Sequence, residues 1–326
     1  LEKESFISDC PSLRIVFMGT PAFAVSTLET ILESHHKVVG VVTAMDKPAG
    51  RGKKIKESDV SVFAKERALN VLQPENLKDE QFVSQLEALK ADLFVVVAFR
   101  MLPKVIWTIP PKGTINLHAS LLPALRGAAP INWAIMNGLT ETGVTTFFIN
   151  EVIDTGKIID QRKVSISENM NCGELHDLLK DEGAKLLLET INQLSGGGIQ
   201  AKEQESKVST EAPKIFKKDG EINWKNTALS IHNQIRGLSP YPAAWCLLYN
   251  EKKKAYFQFK IFTSHISEAK HQNHNTKLST GENGILFPCS DGMIAISELQ
   301  AEGKTRMHYK AFLAGNDINE WHITPE

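Results

Sequence analysis

The first half of the chain alternates short runs rich in Val, Ile and Phe with longer stretches of helical spacing, and this alternation most limits what it can fold into. The strand-like runs are residues 14–18, 37–42, 93–98, 114–118 and 143–149. Between them, 22–34, 60–69, 76–89 and 128–136 carry apolar residues at helical spacing. The usual solution for such a βαβ rhythm is a mostly parallel sheet with helices on both faces, an α/β fold. The run 93–98 is apolar throughout, as a central strand buried on both sides must be. Residues 171–194 read as a long helix with leucines on one face, stopped by Gly196, Gly197 and Gly198.

The texture then changes. Residues 201–216 are polar and read as a linker. Beyond them come short strand-like pieces, 243–249, 256–263, 284–288 and 293–299, separated by Gly, Asn and Asp turns, which suit a small β-barrel. The 326 residues, at about 150 per domain, thus divide into a first domain over 11–200 and a second over 217–326.

Composition narrows the function. With 42% hydrophobic and 23% charged residues the chain is an ordinary globular one. Its 37 Lys and Arg against 38 Asp and Glu give a net charge of −1 and no global field to capture a polyanion, so any nucleic-acid contact must be local. Cys10, Cys172, Cys246 and Cys289 are far apart with no C-x-x-C pair, which predicts neither a metal site nor a disulfide framework and suits a reducing compartment. No run approaches about 20 apolar residues, and the first dozen are too polar for a signal peptide. The expectation is a cytoplasmic protein with no membrane partner.

The sharpest local signal is Thr114–Ile115–Asn116–Leu117–His118. On a strand, Asn116 and His118 share one face opposite Ile115 and Leu117. Ligands of open α/β sheets bind beyond the carboxyl ends of the strands, where these two polar groups fall. Spacing alone leaves a satisfied core histidine and a capping asparagine equally open. Asp154, in the loop-like Val152–Ile153–Asp154–Thr155–Gly156, follows the strand 143–149 and is expected at the same sheet edge, within reach of His118. A turn aspartate before Thr-Gly is the bland alternative. Together an amide, an imidazole and a carboxylate can stabilise an oxyanion and manage a proton without a nucleophilic side chain.

Two further segments carry weaker signals. Phe17–Met18–Gly19–Thr20–Pro21 sits where a phosphate-binding turn would be, but its single glycine is no G-x-G-x-x-G fingerprint, so a nicotinamide dehydrogenase loses its support. Residues 46–56 place five basic residues, Lys47, Arg51, Lys53, Lys54 and Lys56, in a Pro- and Gly-containing loop. Such loops are usually just solvated; this one follows the second strand, on the carboxyl edge of the sheet, where it could hold a polyanion.

Asn116-x-His118 followed by Ser120–Leu121–Leu122–Pro123, Arg126–Gly127–Ala128–Ala129–Pro130 and Asp154–Thr155–Gly156 resembles the folate-dependent formyltransferases. The basic loop and a second domain with Ser239–Pro240–Tyr241–Pro242 resemble the branch that acts on methionyl-tRNA. The resemblance implies a Rossmann-like first domain, an oligonucleotide-binding (OB)-like barrel and a monomer. It implies formyl transfer from 10-formyltetrahydrofolate, without a metal, to the amino group of methionine on initiator tRNA. Asn116, His118 and Asp154 take the catalytic positions. Folate contacts fall on Ser120, Leu121, Leu122, Pro123, Ala98, Met101 and Leu102, and RNA contacts on Lys47, Arg51, Lys53 and Lys54. Where that family often has Ala-Tyr-Gly, this chain has Ala98–Phe99–Arg100. Formylation of a small amine, such as a glycinamide ribonucleotide or an amino sugar, would need neither basic loop nor barrel. A non-catalytic RNA-binding protein would not need the triad.

Overall fold

The structure, a computed structural model, describes residues 11–49, 54–205, 210–269 and 277–323. It falls into two compact units, the first made of residues up to 127 with 142–165 and 176–212, the second of 128–141, 166–175 and 213 onward.

The chain opens with β1 (Arg14–Gly19), α1 (Ala22–Leu32) and β2 (Lys37–Val42). A hairpin follows, β3 (Lys47–Ala49) and β4 (Lys54–Lys56), then α2 (Asp59–Glu66), β5 (Val71–Leu72), α3 (Glu80–Ala88) and β6 (Leu93–Val97). Next come α4 (Lys104–Trp107), β7 (Thr114–His118), α5 (Pro130–Met136), β8 (Glu141–Phe148), β9 (Ile158–Ser165) and α6 (Cys172–Gly196). The sheet order is β5-β2-β1-β6-β7-β8-β9, so the apolar run that begins at Leu93 is indeed the central strand, and all five of its residues are buried. Pairing is parallel from β5 through β7 and antiparallel between β7 and β8. Strand order reverses between β1 and β6, a switch point of the kind beyond whose strand carboxyl ends doubly wound sheets hold their ligands. On β7, Ile115 and Leu117 are buried in the core, and α6 comes so close to Leu117 that a Cβ on Gly183 would lie 2.8 Å from its Cδ2.

In the second unit α5 packs with α7 (Ala228–Leu238), where Asn132 Nδ2 donates to the Gly237 carbonyl at 2.7 Å. The barrel strands are β10 (Ala244–Asn250), β11 (Ala255–Ser267), β12 (Ser279–Gly281), β13 (Gly284–Cys289) and β14 (Gly292–Ala301). They are completed by β15 (Met307–His308), α8 (Tyr309–Leu313) and β16 (Trp321–Ile323). Neighbours in the order β12-β13-β14-β11-β10-β16 pair antiparallel. The two ends meet where Lys277 bridges His322 and the Leu278 N–H donates to the Trp321 carbonyl, which curls the sheet into the OB-like barrel. Phe259 lies at its centre, edge-on to Trp321 and Phe312, with Ile231, Ile235 and Leu238 of α7 in the same core.

The compact units cut the chain elsewhere than a division at 11–200, 201–216 and 217–326. Helix α5 lies in the second unit. Residues 201–205 and 210–212 belong to the first, with Lys202 and Ile158 exchanging two backbone bonds of 2.8 Å and the Ala212 N–H donating to the Arg126 carbonyl at 2.7 Å. Composition reads the segment as a linker because it buries few side chains; its main chain holds it in place. Among the described residues no helix is long and apolar enough to cross a membrane.

Two buried histidines make stability depend on pH. In the first unit His36 Nδ1 accepts the Leu13 N–H at 3.2 Å and Nε2 donates to Asn192 Oδ1 at 2.9 Å, an arrangement only the neutral ring can make. In the second, His232 lies against Ser264 Oγ at 3.0 Å. Burial is the first cause holding both below the ordinary histidine value of 6.5, and the charge of Arg236 adds to it at His232. The unfolded chain therefore binds these protons first, so stability is intact above about pH 6.5 and falls as pH drops below it. Urea midpoints between pH 7.5 and 5 should show a shallower acid limb in His36→Gln than in the wild type; identical limbs would exclude His36 as a source.

Candidate active site

His118 ends β7 at the carboxyl edge of the parallel strands, with Val97 of β6 beside Leu117 and Thr145 of β8 opposite His118. Its ring is buried, with Nε2 2.9 Å from the Leu125 carbonyl. A carbonyl only accepts, so Nε2 carries the proton and Nδ1 is the nitrogen left for exchange. Nδ1 faces Asp154 Oδ2 at 3.7 Å, an ion-pair distance beyond hydrogen-bond length, and the two side chains are only 7% and 10% exposed. Oδ2 also accepts the Gly127 N–H at 2.9 Å. Asn116 shares the His118 face, and its Oδ1 is buried with no hydrogen-bond partner. A buried amide oxygen without a donor costs about 1–3 kcal/mol, and such exceptions concentrate where geometry serves a ligand.

The route by which Asp154 arrives differs from the expected one. Because β8 runs antiparallel to β7, it ends with Phe148 beside Ile115, away from the carboxyl edge. The Ile149 N–H, held by the Thr114 carbonyl, carries the pairing one residue further, and the loop beyond it brings the Asp154 carboxylate back to His118. Three non-glycine residues with left-handed backbone surround the site: Ala98 (φ 47°), Leu125 (φ 58°) and Asp154 (φ 56°). Conformations of this kind cost about 1–3 kcal/mol each for an L-residue and persist only where neighbours enforce them.

The loop after His118 is enforced by Thr145, whose hydroxyl donates to the Ser120 carbonyl (2.6 Å) and accepts from the Leu122 N–H (3.1 Å) and Gln161 Nε2 (2.9 Å). Ser120 is fully buried and its hydroxyl donates to the Ala124 carbonyl at 2.6 Å, so it shapes the turn. Leu122 is buried, Leu121 and Pro123 partly so. Beyond β6, Ala98 and Met101 are exposed, whereas Leu102 is buried in the core with Phe82, Val96 and Ile106. Arg100, which stands where the family often has glycine, donates to the carbonyls of Pro74 and Glu75 and so ties that loop to the one after β5.

A family model described as formyl transferase matches residues 13–191, and a second, for the formyl transferase C-terminal domain, matches 214–317. The protein named methionyl-tRNA formyltransferase in Flavobacterium johnsoniae is 48% identical over 304 residues, covering 93% of this chain and 96% of its own. The chain belongs to the methionyl-tRNA formyltransferase family. A relative of the same name in Bacteroides thetaiotaomicron is 48% identical over 313 residues, with 94% of this chain and 97% of the relative covered. An N-formyltransferase from Helicobacter canadensis, solved with folinic acid and dTDP-3-aminofucose, superposes with a TM-score of 0.62 at 23% identity. It covers 87% of this chain and 98% of that one, and at such identity the likeness speaks to the fold alone.

Within this family member, the basic loop forms a hairpin with Lys47 paired to Lys56 and Ala49 to Lys54. Lys47 is exposed; Arg51 and Lys53 lie outside the described residues, as does the side chain of Lys54. In the second unit Tyr241 is 82% exposed, while Arg236 is buried and donates to Met170 and Asn233. Sequence reasoning misses Thr145, Gln161 and Gln204, which hold the site, and finds Gly127 within the run 126–130 without giving it a role. Thr145 and Gln161 lie in strands and Gln204 in an outwardly featureless polar stretch, so no motif marks them.

Proposed function

We propose that the protein transfers the formyl group of 10-formyltetrahydrofolate to the amino group of methionine on initiator tRNA, acting in the cytoplasm. The observation that carries this reading is the convergence of His118 and Asp154, 36 positions apart in sequence, to 3.7 Å at the carboxyl edge of the sheet in a member of this family. The unpartnered amide oxygen of Asn116 and the exposed Ala98 suit a planar ligand rich in hydrogen-bonding groups. When bound, 10-formyltetrahydrofolate supplies the activated formyl carbon and the nitrogen that leaves.

Each residue then has a defined task. Nε2 of His118 is committed to Leu125, so Nδ1 alone meets the reacting atoms: it receives the attacking amine's proton and, once it carries that proton, donates to the oxyanion and passes the proton to the departing nitrogen. Asp154 holds the ring's charge and orientation through the same nitrogen, itself held by Gly127. Asn116 adds its amide to the oxyanion's surroundings. The proton taken from the attacking amine balances the one gained by the departing nitrogen, so no external acid is consumed.

Purified protein with 10-formyltetrahydrofolate should formylate methionyl initiator tRNA in preference to amino sugars or glycinamide ribonucleotide, scored by the product formed. A tRNA left unformylated while a small amine is modified would overturn the reading. The hairpin's basic residues are proposed to hold tRNA phosphates. Replacing Lys47, Arg51, Lys53 and Lys54 by alanine should weaken tRNA binding and flatten its dependence on salt, by up to about 0.7–0.9 log units for each phosphate that is no longer neutralised. An unchanged salt slope would remove the hairpin from the interface.

A further inference from the structure

Asp154 is held from two directions, and only one of them involves its carboxylate. Gln204 Nε2 donates to the Asp154 carbonyl at 2.9 Å and to the Gly156 carbonyl at 2.8 Å. Gln204 Oε1 accepts from Arg126 Nε at 3.2 Å and Nη2 at 2.6 Å. The partners fix the orientation of this amide: turned over, it would set its NH2 against a guanidinium and its oxygen against two carbonyls. Both amide hydrogens and both lone pairs are used.

These bonds close a circuit. Arg126 precedes Gly127, whose N–H grips the Asp154 carboxylate, and the Arg126 side chain grips Gln204, which grips the Asp154 main chain. The same segment adds the Thr210 hydroxyl, accepting the Leu125 N–H at 3.1 Å, and Leu125 is the residue whose carbonyl anchors His118. Asp154 sits in left-handed backbone, a conformation costly enough to need restraint from its neighbours.

We infer that Gln204 is a positioning residue for formyl transfer, fixing the Asp154 main chain so that the carboxylate stays against His118 Nδ1 while keying Arg126 to the same loop. The inference rests on the reading of Asp154 as a working carboxylate. Gln204→Met keeps the length and removes all four bonds. Gln204→Glu keeps the Arg126 partner and sets an anion against two carbonyls.

The test is single-turnover formylation of methionyl-tRNA by the full chain with 10-formyltetrahydrofolate. It compares wild type, Gln204→Met, Gln204→Glu, Asp154→Asn and the double variant Gln204→Met/Asp154→Asn, each with its KM for methionyl-tRNA and its melting temperature. Gln204→Met should lower the transfer rate by about 10- to 100-fold, the scale of a misplacement near 1 Å, with KM within about twofold. Gln204→Glu should lose at least as much. In the Asp154→Asn background the same change should cost nothing further. Equal losses in both backgrounds, or no loss in the wild-type one, would overturn the inference alone. An Asp154→Asn protein at the wild-type rate would instead overturn the reading beneath it. If Gln204→Met does not fold, Gln204→Glu carries the comparison in both backgrounds.

Discussion

Replacing His118 by alanine is expected to lower the rate of formyl transfer by about 10³-fold, within the range for a positioned acid–base group and oxyanion donor, while tRNA affinity stays within about twofold. The ring does two things no other residue of the site repeats: Nδ1 exchanges a proton and Nε2 ties β7 to Leu125. Its removal also leaves a buried carbonyl and a buried carboxylate oxygen with one partner fewer, a stability cost of about 1–3 kcal/mol. Single-turnover kinetics separate these effects, because a rate measured on folded, tRNA-saturated protein excludes both unfolding and weak binding. Loss of rate matched by equal loss of affinity would show that His118 serves binding instead.

Gly127→Ala should damage both the fold and the site. At φ +126° no L-residue is comfortable, and a Cβ there would lie 2.5 Å from the Ala212 carbonyl oxygen, which is backbone and cannot swing aside. The loop must shift, and with it the N–H that holds the Asp154 carboxylate at 2.9 Å. We expect a loss of about 3 kcal/mol in stability and, in the fraction still folded, a transfer rate lowered by about 100-fold. Chemical denaturation and single-turnover rates at low temperature give the two numbers separately. A variant with wild-type stability would mean that the loop relaxes freely and that the close approach to Ala212 is not binding on it.

Much of this is legible in the chain itself, for physical reasons that differ from place to place. The five runs read as strands each match one to within two residues at either end, because apolar β-branched sequence in a covered sheet leaves little choice, and β6 is central because it is apolar on both faces. Asn116 and His118 share a face because strands alternate. Direction is not legible. Nothing in residues 143–149 says that β8 runs antiparallel, so the sequence misplaces the path of Asp154 even though it finds the destination. Helix α7 escapes a reading by periodicity because its apolar positions sit among His, Asn, Gln and Arg, several of them buried and paired. Gln204 escapes it for the opposite reason: it works through main-chain carbonyls, and their owners leave no mark on the sequence around it.

The seam of the barrel has its own consequence. An open antiparallel ribbon would offer rows of unpaired amides and carbonyls, an invitation to self-association through swapped or added strands. Joining Lys277 and Leu278 to β16 withdraws that invitation with very few bonds. Along this seam a docking partner meets side chains and no free strand edge, so the chemistry there can vary among homologous enzymes without any change in how the chain is woven.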